Sequence, residues 1–268
     1  MTFFQALFFG LLQGLTEFLP ISSTAHLLLA QNLFRLPADE VMFAFLVLVQ
    51  WGTVLALLVY FWRDWWDLLR AFFARPFSTP QNRMVWYILI GTLPALLAGA
   101  LLHDAVKMLF SQPLLEAGIR LWMTAILLTL AEVLGKRQRQ LESLRAGDAL
   151  WIGAFQVLAV FPGASRSGST LSGGLLRGFD RPSATRFAFL LAFPVMVAAG
   201  VFELLGMIGQ PLPSTFLPTL LTGMLTAALS GWLAIHWLLR YVQKHSLWTF
   251  VFYCAVIGSL AFGLYFRS

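Results

Sequence analysis

Between Gln13 and His26 the chain reads Gln-Gly-Leu-Thr-Glu-Phe-Leu-Pro-Ile-Ser-Ser-Thr-Ala-His. Gln13 and Glu17 stand four apart and share a helix face. So do Ser22 and His26, and Ser23 lies three before His26. A carboxylate, a pair of hydroxyls and an imidazole are thereby gathered in one short stretch of an apolar chain. These groups can make an attacking oxygen, take its proton and hold a cation or a donor. Ionisable groups at membrane depth are costly and mark functional sites by default. The plainer alternative is that Glu17 caps a half-helix and His26 snorkels to the interface.

A second polar stretch, Pro162-Gly163-Ala164-Ser165-Arg166-Ser167-Gly168-Ser169-Thr170, supplies the opposite charge. Its glycines and small hydroxyl residues allow close backbone approach, and a helix opened there presents free N–H groups to an anion. Arg166 adds a planar fork that matches two phosphate oxygens. Against this stands the reading in which Arg166 only neutralises Glu17. Gln156 could line the same cavity or pack as a simple amide. Arg186 and Glu203 read as structural or interfacial residues. His103, His236 and His245, near the ends of apolar blocks, read as snorkelling side chains. Trp62, Trp65, Trp66 and Trp86 read as an interfacial belt.

The elements that must position these residues follow from composition. Of 268 residues, 59% are hydrophobic and only 11% charged, and the mean hydropathy is +0.78, so the chain needs lipid as its solvent. Apolar blocks near 43–62, 84–102, 114–133, 187–205, 217–239 and 247–266 each approach the roughly 20 residues a helix needs to cross a bilayer. The expected fold is an all-α polytopic membrane protein of about six transmembrane helices. Met1 to Phe4 lack the basic region of a cleavable signal, so the N-terminus is expected to be retained. The single cysteine, Cys254, excludes an intrachain disulfide or a CxxC metal site and reads as membrane packing. The net charge of +6 does not point to nucleic acid, because the basic residues sit between apolar blocks and form no patch interleaved with aromatics.

The chain also repeats itself. Ala6, Leu7, Gly10, Gln13 and Leu15 recur as Ala149, Leu150, Gly153, Gln156 and Leu158, and Pro20 and Ser23 fall on Pro162 and Ser165 after a one-residue slip. Phe43-Ala44-Phe45-Leu46 recurs as Phe187-Ala188-Phe189-Leu190, and Gly91, Leu93, Ala95, Leu97 and Gly99 match Gly223, Leu225, Ala227, Leu229 and Gly231. Two repeats are expected, over 1–144 and 145–268. Each begins with a segment too long and too polar for one span, since Phe3 to Phe34 as a single helix would run about 48 Å. Breaks at Pro20 and at 162–168 predict re-entrant hairpins over 3–34 and 149–179 that line one interior site. Three full crossings per repeat would invert the second half relative to the first. One side then carries Arg63, Arg70, Arg75, Arg83, Lys136, Arg137, Arg139, Arg145, Arg177, Arg181, Arg240 and Lys244, and the other only Arg35, Lys107, Arg120 and Arg267. The positive-inside rule makes the first side cytoplasmic and puts both termini and the mouth of the first re-entrant loop on the outer face.

The segments Gln13–His26 and Pro162–Thr170 resemble the two signature motifs of the bacitracin-resistance type of undecaprenyl-diphosphate phosphatase, and the likeness in motif spacing extends over essentially the whole chain. The resemblance implies hydrolysis of undecaprenyl diphosphate to the monophosphate and inorganic phosphate. That reaction renews the carrier lipid for peptidoglycan synthesis and confers bacitracin resistance. It also implies a divalent cation, Mg²⁺ or Ca²⁺. Gln13 departs from the commonest motif, which has a glutamate there, and so puts a two-carboxylate metal site in doubt.

A phosphoanhydride already has a good leaving group, so the protein must mainly position a nucleophile and offset charge. On that basis Ser23 is assigned as nucleophile and His26 as its general base or orienting partner. Glu17 is assigned as metal ligand or proton manager. Arg166 forms the phosphate clamp with Ser22, Ser165, Ser167, Gly168 and Thr170, and Gln13 and Gln156 are additional candidates. Direct attack by His26 is the alternative. The motifs of the other lipid-phosphatase class occur only as the fragments Arg181-Pro182-Ser183 and Ser165-Arg166. The rival from another class is a transporter or flippase of a polyprenyl phosphate lipid, because inverted repeats with broken helices are also a transport architecture. The Ser23/His26 pair, which transport would not need, argues for the enzyme. The expected partners are the polyprenyl diphosphate and membrane lipid, and the oligomeric state, a homo-oligomer included, stays open.

Overall fold

The computed structural model describes residues 1–37, 39–109, 112–160, 164–207 and 213–267, without the side chains of 102–109. Twelve α-helices account for almost all of it: α1 (Phe3–Phe18), α2 (Ser23–Leu33), α3 (Glu40–Leu48), α4 (Gln50–Tyr60), α5 (Trp62–Phe72), α6 (Pro80–Leu109), α7 (Pro113–Leu134), α8 (Ala146–Val157), α9 (Arg166–Leu176), α10 (Arg181–Gly206), α11 (Phe216–Lys244) and α12 (Trp248–Tyr265). No strand occurs among the described residues.

Among the described residues, six segments are long and apolar enough to cross a membrane: Glu40–Tyr60, Pro80–Leu101, Pro113–Leu134, Arg181–Gly206, Phe216–Lys244 and Trp248–Tyr265. They coincide with the six apolar blocks read from the sequence. The protein is therefore a polytopic, multi-pass helical membrane protein. Its lipid-facing surface is made of exposed apolar side chains such as Leu225, Leu229 and Phe252. The first span divides at Val49 into α3 and α4.

The two short polar segments fold as hairpins. At 16 residues α1 reaches about 24 Å, too short to span. It begins with a capping box in which the Thr2 hydroxyl accepts from Gln5 N–H (3.2 Å) and the Gln5 amide oxygen accepts from Thr2 N–H (2.7 Å). Phe8 and Phe9, early in α1, contact the ring of Phe34 at the end of α2, so the two helices run antiparallel. In the second hairpin, Ile152 and Phe155 of α8 lie against Gly173 of α9. Its base is closed where Asp148 accepts from Arg139 (2.6 Å) and Arg177 (2.8 Å). Pro162 and Gly163 lie outside the described residues.

Close helix contacts hold both hairpins in the bundle. A Cβ on Gly10 of α1 would stand 2.2 Å from the Gly223 carbonyl of α11, and one on Gly153 of α8 would stand 2.1 Å from the Gly91 carbonyl of α6. Only glycine permits that backbone approach. α12 packs on α7 by the same means, with Gly118 against the Phe262 ring. Glu132, at the end of α7, ties one end of the bundle together. It accepts from Arg181 of α10 and from the Leu247 N–H before α12, both within 2.8 Å, and it pairs with Arg137 at 2.8 Å.

Two features go beyond the sequence pattern: a separate interfacial helix that carries the Trp62, Trp65 and Trp66 belt residues, and a buried charge. α5 carries Arg63, Asp64, Asp67 and Arg70 among exposed Trp62, Trp66, Leu69 and Phe72, and only Leu68 is buried. Such a helix lies in the interface and does not cross it. Arg120, counted above with the charges of one membrane face, is instead buried within the bundle one turn from buried Glu116. Lys107, counted with it, lies outside the described side chains.

Candidate active site

The tips of the two hairpins meet. Glu17, in the last turn of α1, is the centre of the contact: one carboxylate oxygen accepts from the Gln13 amide (2.8 Å) and from the Ser23 hydroxyl (2.6 Å), and the other pairs with the guanidinium of Arg166 from α9. Glu17 and Gln13 are buried, whereas Ser23 and Arg166 keep partial exposure and form the accessible side of the cluster. A short bond to a carboxylate marks the Ser23 hydroxyl as a donor whose lone pairs face away from Glu17.

Local structure accounts for each position. Pro20 cannot continue α1, and the chain reverses through Leu19–Ile21 into Ser22, whose φ of +67° completes the turn. The Ser22 hydroxyl then caps α2 by accepting from the Ala25 N–H (3.4 Å), which puts Ser23 at the first helical position, facing Glu17.

On the opposing hairpin, the Ser165 hydroxyl caps α9 by accepting from Gly168 N–H (3.2 Å), and the Ser165 N–H donates to Thr124 Oγ1 of α7 (2.8 Å). The Ser167 hydroxyl donates to the Leu19 carbonyl (2.9 Å), locking one hairpin tip to the other. Thr170 donates to the Arg166 carbonyl at 2.9 Å. Ser165, Ser167, Gly168 and Thr170 therefore shape the loop. Among the described residues, the N–H groups of Arg166 and Ser167 are the ones in the first turn with no intrahelical partner, and they can face an anion.

His26 is placed differently from the Ser23 partnership expected of it. Its Nδ1 lies 2.8 Å from the Ser22 carbonyl and its Nε2 lies 2.7 Å from the Tyr253 hydroxyl of α12. The first contact puts the proton on Nδ1 and leaves Nε2 to accept from Tyr253. Ser23 hydrogen-bonds Glu17, so the carboxylate is the group in position to take its proton. Gln156 is buried, but its amide has no hydrogen-bond partner among the described residues, and it does not join the Glu17 cluster. Cys254 is a buried free thiol whose sulfur lies 3.8 Å from the Pro20 carbonyl, in keeping with packing.

Sequence reasoning missed Thr124 and Tyr253. Each is an isolated polar residue inside an apolar span, and that was the one signal available.

The donor set does not fit a resident divalent cation. Both Glu17 oxygens are engaged, Gln13 brings no charge, and no group of three His, Cys, Asp or Glu residues converges among the described residues. What the cluster can do without one is hold a tetrahedral anion between Arg166 and two N–H groups, beside a hydroxyl already bonded to a base.

A family model described as bacitracin resistance protein BacA matches residues 6–260. The undecaprenyl-diphosphatase of Acidothermus cellulolyticus is 42% identical over 261 residues, covering 95% of this chain and 93% of that protein. The undecaprenyl-diphosphatase of Geotalea daltonii is 38% identical over 265 residues, covering 97% of each. That of Thermomicrobium roseum is 40% identical and covers 96% of each. From its first helix to its last, the chain belongs to the BacA family of bacitracin resistance proteins.

Proposed function

We propose that this chain hydrolyses undecaprenyl diphosphate to undecaprenyl phosphate and inorganic phosphate, at the cluster of Glu17, Ser23 and Arg166. The observation that carries the chemistry is the 2.6 Å bond from the Ser23 hydroxyl to a Glu17 oxygen whose partner oxygen faces Arg166. An arriving terminal phosphate competes for Arg166. As the guanidinium turns to its oxygens, Glu17 is left facing the Ser23 hydroxyl and free to take its proton. Ser23 Oγ then attacks the terminal phosphorus while Glu17 takes its proton. The anhydride P–O bond breaks, and undecaprenyl phosphate leaves with the bond's electron pair. Glu17 hands that proton to the departing phosphate oxygen, then takes one from water as the water attacks the phosphoserine. It returns this proton to Ser23 Oγ, which leaves with the electron pair of its P–O bond as inorganic phosphate is freed. Arg166 and the Arg166 and Ser167 N–H groups offset the charge on the phosphoryl oxygens throughout. His26, held by Ser22 and Tyr253, orients the Ser22–Ser23 turn and lines the phosphate site.

The two halves, 1–144 and 145–268, are inverted repeats whose hairpin tips build one site. Supporting this, Gly10 meets Gly223 as Gly153 meets Gly91, and those four positions are pairwise equivalent in the repeat alignment. The distribution of basic residues supports a site open to the outer face and a cytoplasmic 135–145 loop. Regenerating the monophosphate carrier there would serve cell-wall synthesis and oppose bacitracin. The transporter reading is not favoured, because it gives the Ser23–Glu17 bond no task.

The test is phosphate release from a polyprenyl diphosphate by the purified protein in detergent. Stoichiometric inorganic phosphate and polyprenyl monophosphate are expected. Absence of release, with lipid translocation in proteoliposomes, would overturn the assignment.

A further inference from the structure

Away from the Glu17 cluster, a half-open cavity of about 400 Å³ lies between α4, α5, α10 and α11. Its polar lining is Tyr60, Asp64, Arg186, Arg240 and Gln243. It shares no residue with the cluster at the hairpin tips. These residues stand at the ends of α4, α10 and α11 on the side of the bundle that holds the 135–145 loop and the Glu132 ion pairs.

The charge in the cavity is unbalanced. Asp64 pairs with Arg186, whose guanidinium also sits 6.0 Å from the Phe61 ring centroid. Arg240 forms no ion pair among the described residues, so one guanidinium is left to an outside anion. The rim is built for lipid: Trp232 stacks on His236 at 5.6 Å, His236 Nδ1 lies 3.3 Å from the Tyr60 hydroxyl, and exposed Trp62 and Trp66 stand on the neighbouring interfacial helix α5. Tryptophans and a surface-lying helix mark headgroup level. A volume of this size holds a phosphodiester with its glycerol substituent. Tyr60 and Gln243 add a hydroxyl and an amide, which suit the hydroxyls of such a headgroup.

We propose that this cavity binds the phosphodiester headgroup of an anionic membrane lipid, with Arg240 as its principal ligand and the Asp64-held Arg186 as the second. The site is separate from the hydrolytic one. It anchors α5 and the ends of α4, α10 and α11 at the interface.

The experiment is native mass spectrometry of the full-length protein in detergent with phosphatidylglycerol or phosphatidylcholine, run beside phosphate-release assays. Wild-type protein should retain phosphatidylglycerol in preference to phosphatidylcholine. Arg240→Gln should lower that retention about 5- to 10-fold with unchanged phosphate release. Arg186→Gln should lower it as well, because it leaves Asp64 unpaired in the cavity. Lys244→Gln, which removes a nearby charge outside the lining, should retain lipid as the wild type does. If added inorganic phosphate displaces the lipid, the cavity recognises phosphate alone. If it does not, the glycerol-linked diester is the ligand, and either result supports an anion site. Equal retention of the two lipids, an Arg240→Gln protein indistinguishable from wild type, or an equal loss in Lys244→Gln would overturn it.

Discussion

Glu17 and Arg166 stand 149 positions apart, and an ion pair across two hairpin tips brings them into contact. The same carboxylate accepts from Ser23 and Gln13, so the proposed base, nucleophile and phosphate ligand are joined through one residue. That arrangement makes the roles separable by substitution.

Arg166→Lys keeps the charge and loses the two-pronged fork. Turnover should fall by about 2–4 kcal/mol in transition-state terms, roughly 30- to 1,000-fold, while the protein inserts and elutes normally. Near-normal phosphate release would mean that Arg166 serves Glu17 alone.

Ser23→Ala should abolish phosphate release at every pH, since the attacking oxygen is gone. His26→Ala should leave residual turnover, lower by about 10²- to 10⁴-fold if it acts in proton transfer and less if it only orients the turn. Tyr253→Phe removes one hydrogen bond to His26 and should cost about tenfold or less. Ser22→Ala and the double variant must be assayed alongside, because Ser22 is one residue away. Substantial activity in Ser23→Ala together with none in His26→Ala would instead favour attack by the histidine.

Gly10→Ala and Gly153→Ala each push a methyl against a backbone carbonyl, at 2.2 and 2.1 Å before relaxation. Each should lower stability by about 1–3 kcal/mol. Gly147→Ala meets nothing within 4 Å and should be neutral or mildly stabilising. Thermal unfolding in detergent reads all three, and equal midpoints would refute close packing at the two hairpins.

Asp148, at the foot of α8, gives the fold an acid-sensitive joint. Burial opposes its ionisation, but hydrogen bonds from Arg139 and Arg177 outweigh that and hold the carboxyl below its ordinary range. A carboxyl with a folded value below the unfolded one, about 3.9, stabilises fully above that pH and loses its contribution as pH falls through the folded value. Asp148→Asn should cost about 1–3 kcal/mol near neutrality, nearer the lower figure because Arg139 and Arg177 are 29% and 43% exposed. The difference from wild type should shrink below pH 4, which thermal unfolding from pH 3 to 7 will check.

Orientation is open to chemical labelling. With Cys254 replaced, Gln138→Cys in the basic 135–145 loop should resist membrane-impermeant thiol reagents in intact cells. Gln112→Cys, between α6 and α7, should react. The reverse pattern would invert the topology and move the site to the other face.

The sequence alone determined the six spans, because lipid demands some 20 apolar residues per crossing and charges can stand only between them. It also determined the two broken segments and their polar residues, since proline, glycine and clustered hydroxyls are not tolerated at depth without a cavity to satisfy them. It could not decide partners within the cluster. Helical spacing put Ser23 near His26, but the left-handed turn at Ser22 aims Ser23 at Glu17 and sends His26 to Tyr253, 227 positions away. Nor could it place Arg120, which looks like a boundary charge in a linear reading and is buried in the bundle. The spans follow from a solvent that acts on every residue locally. The pairings follow from which helices approach closely enough to touch, and contacts such as Gly10 on Gly223 settle that only once the bundle is assembled.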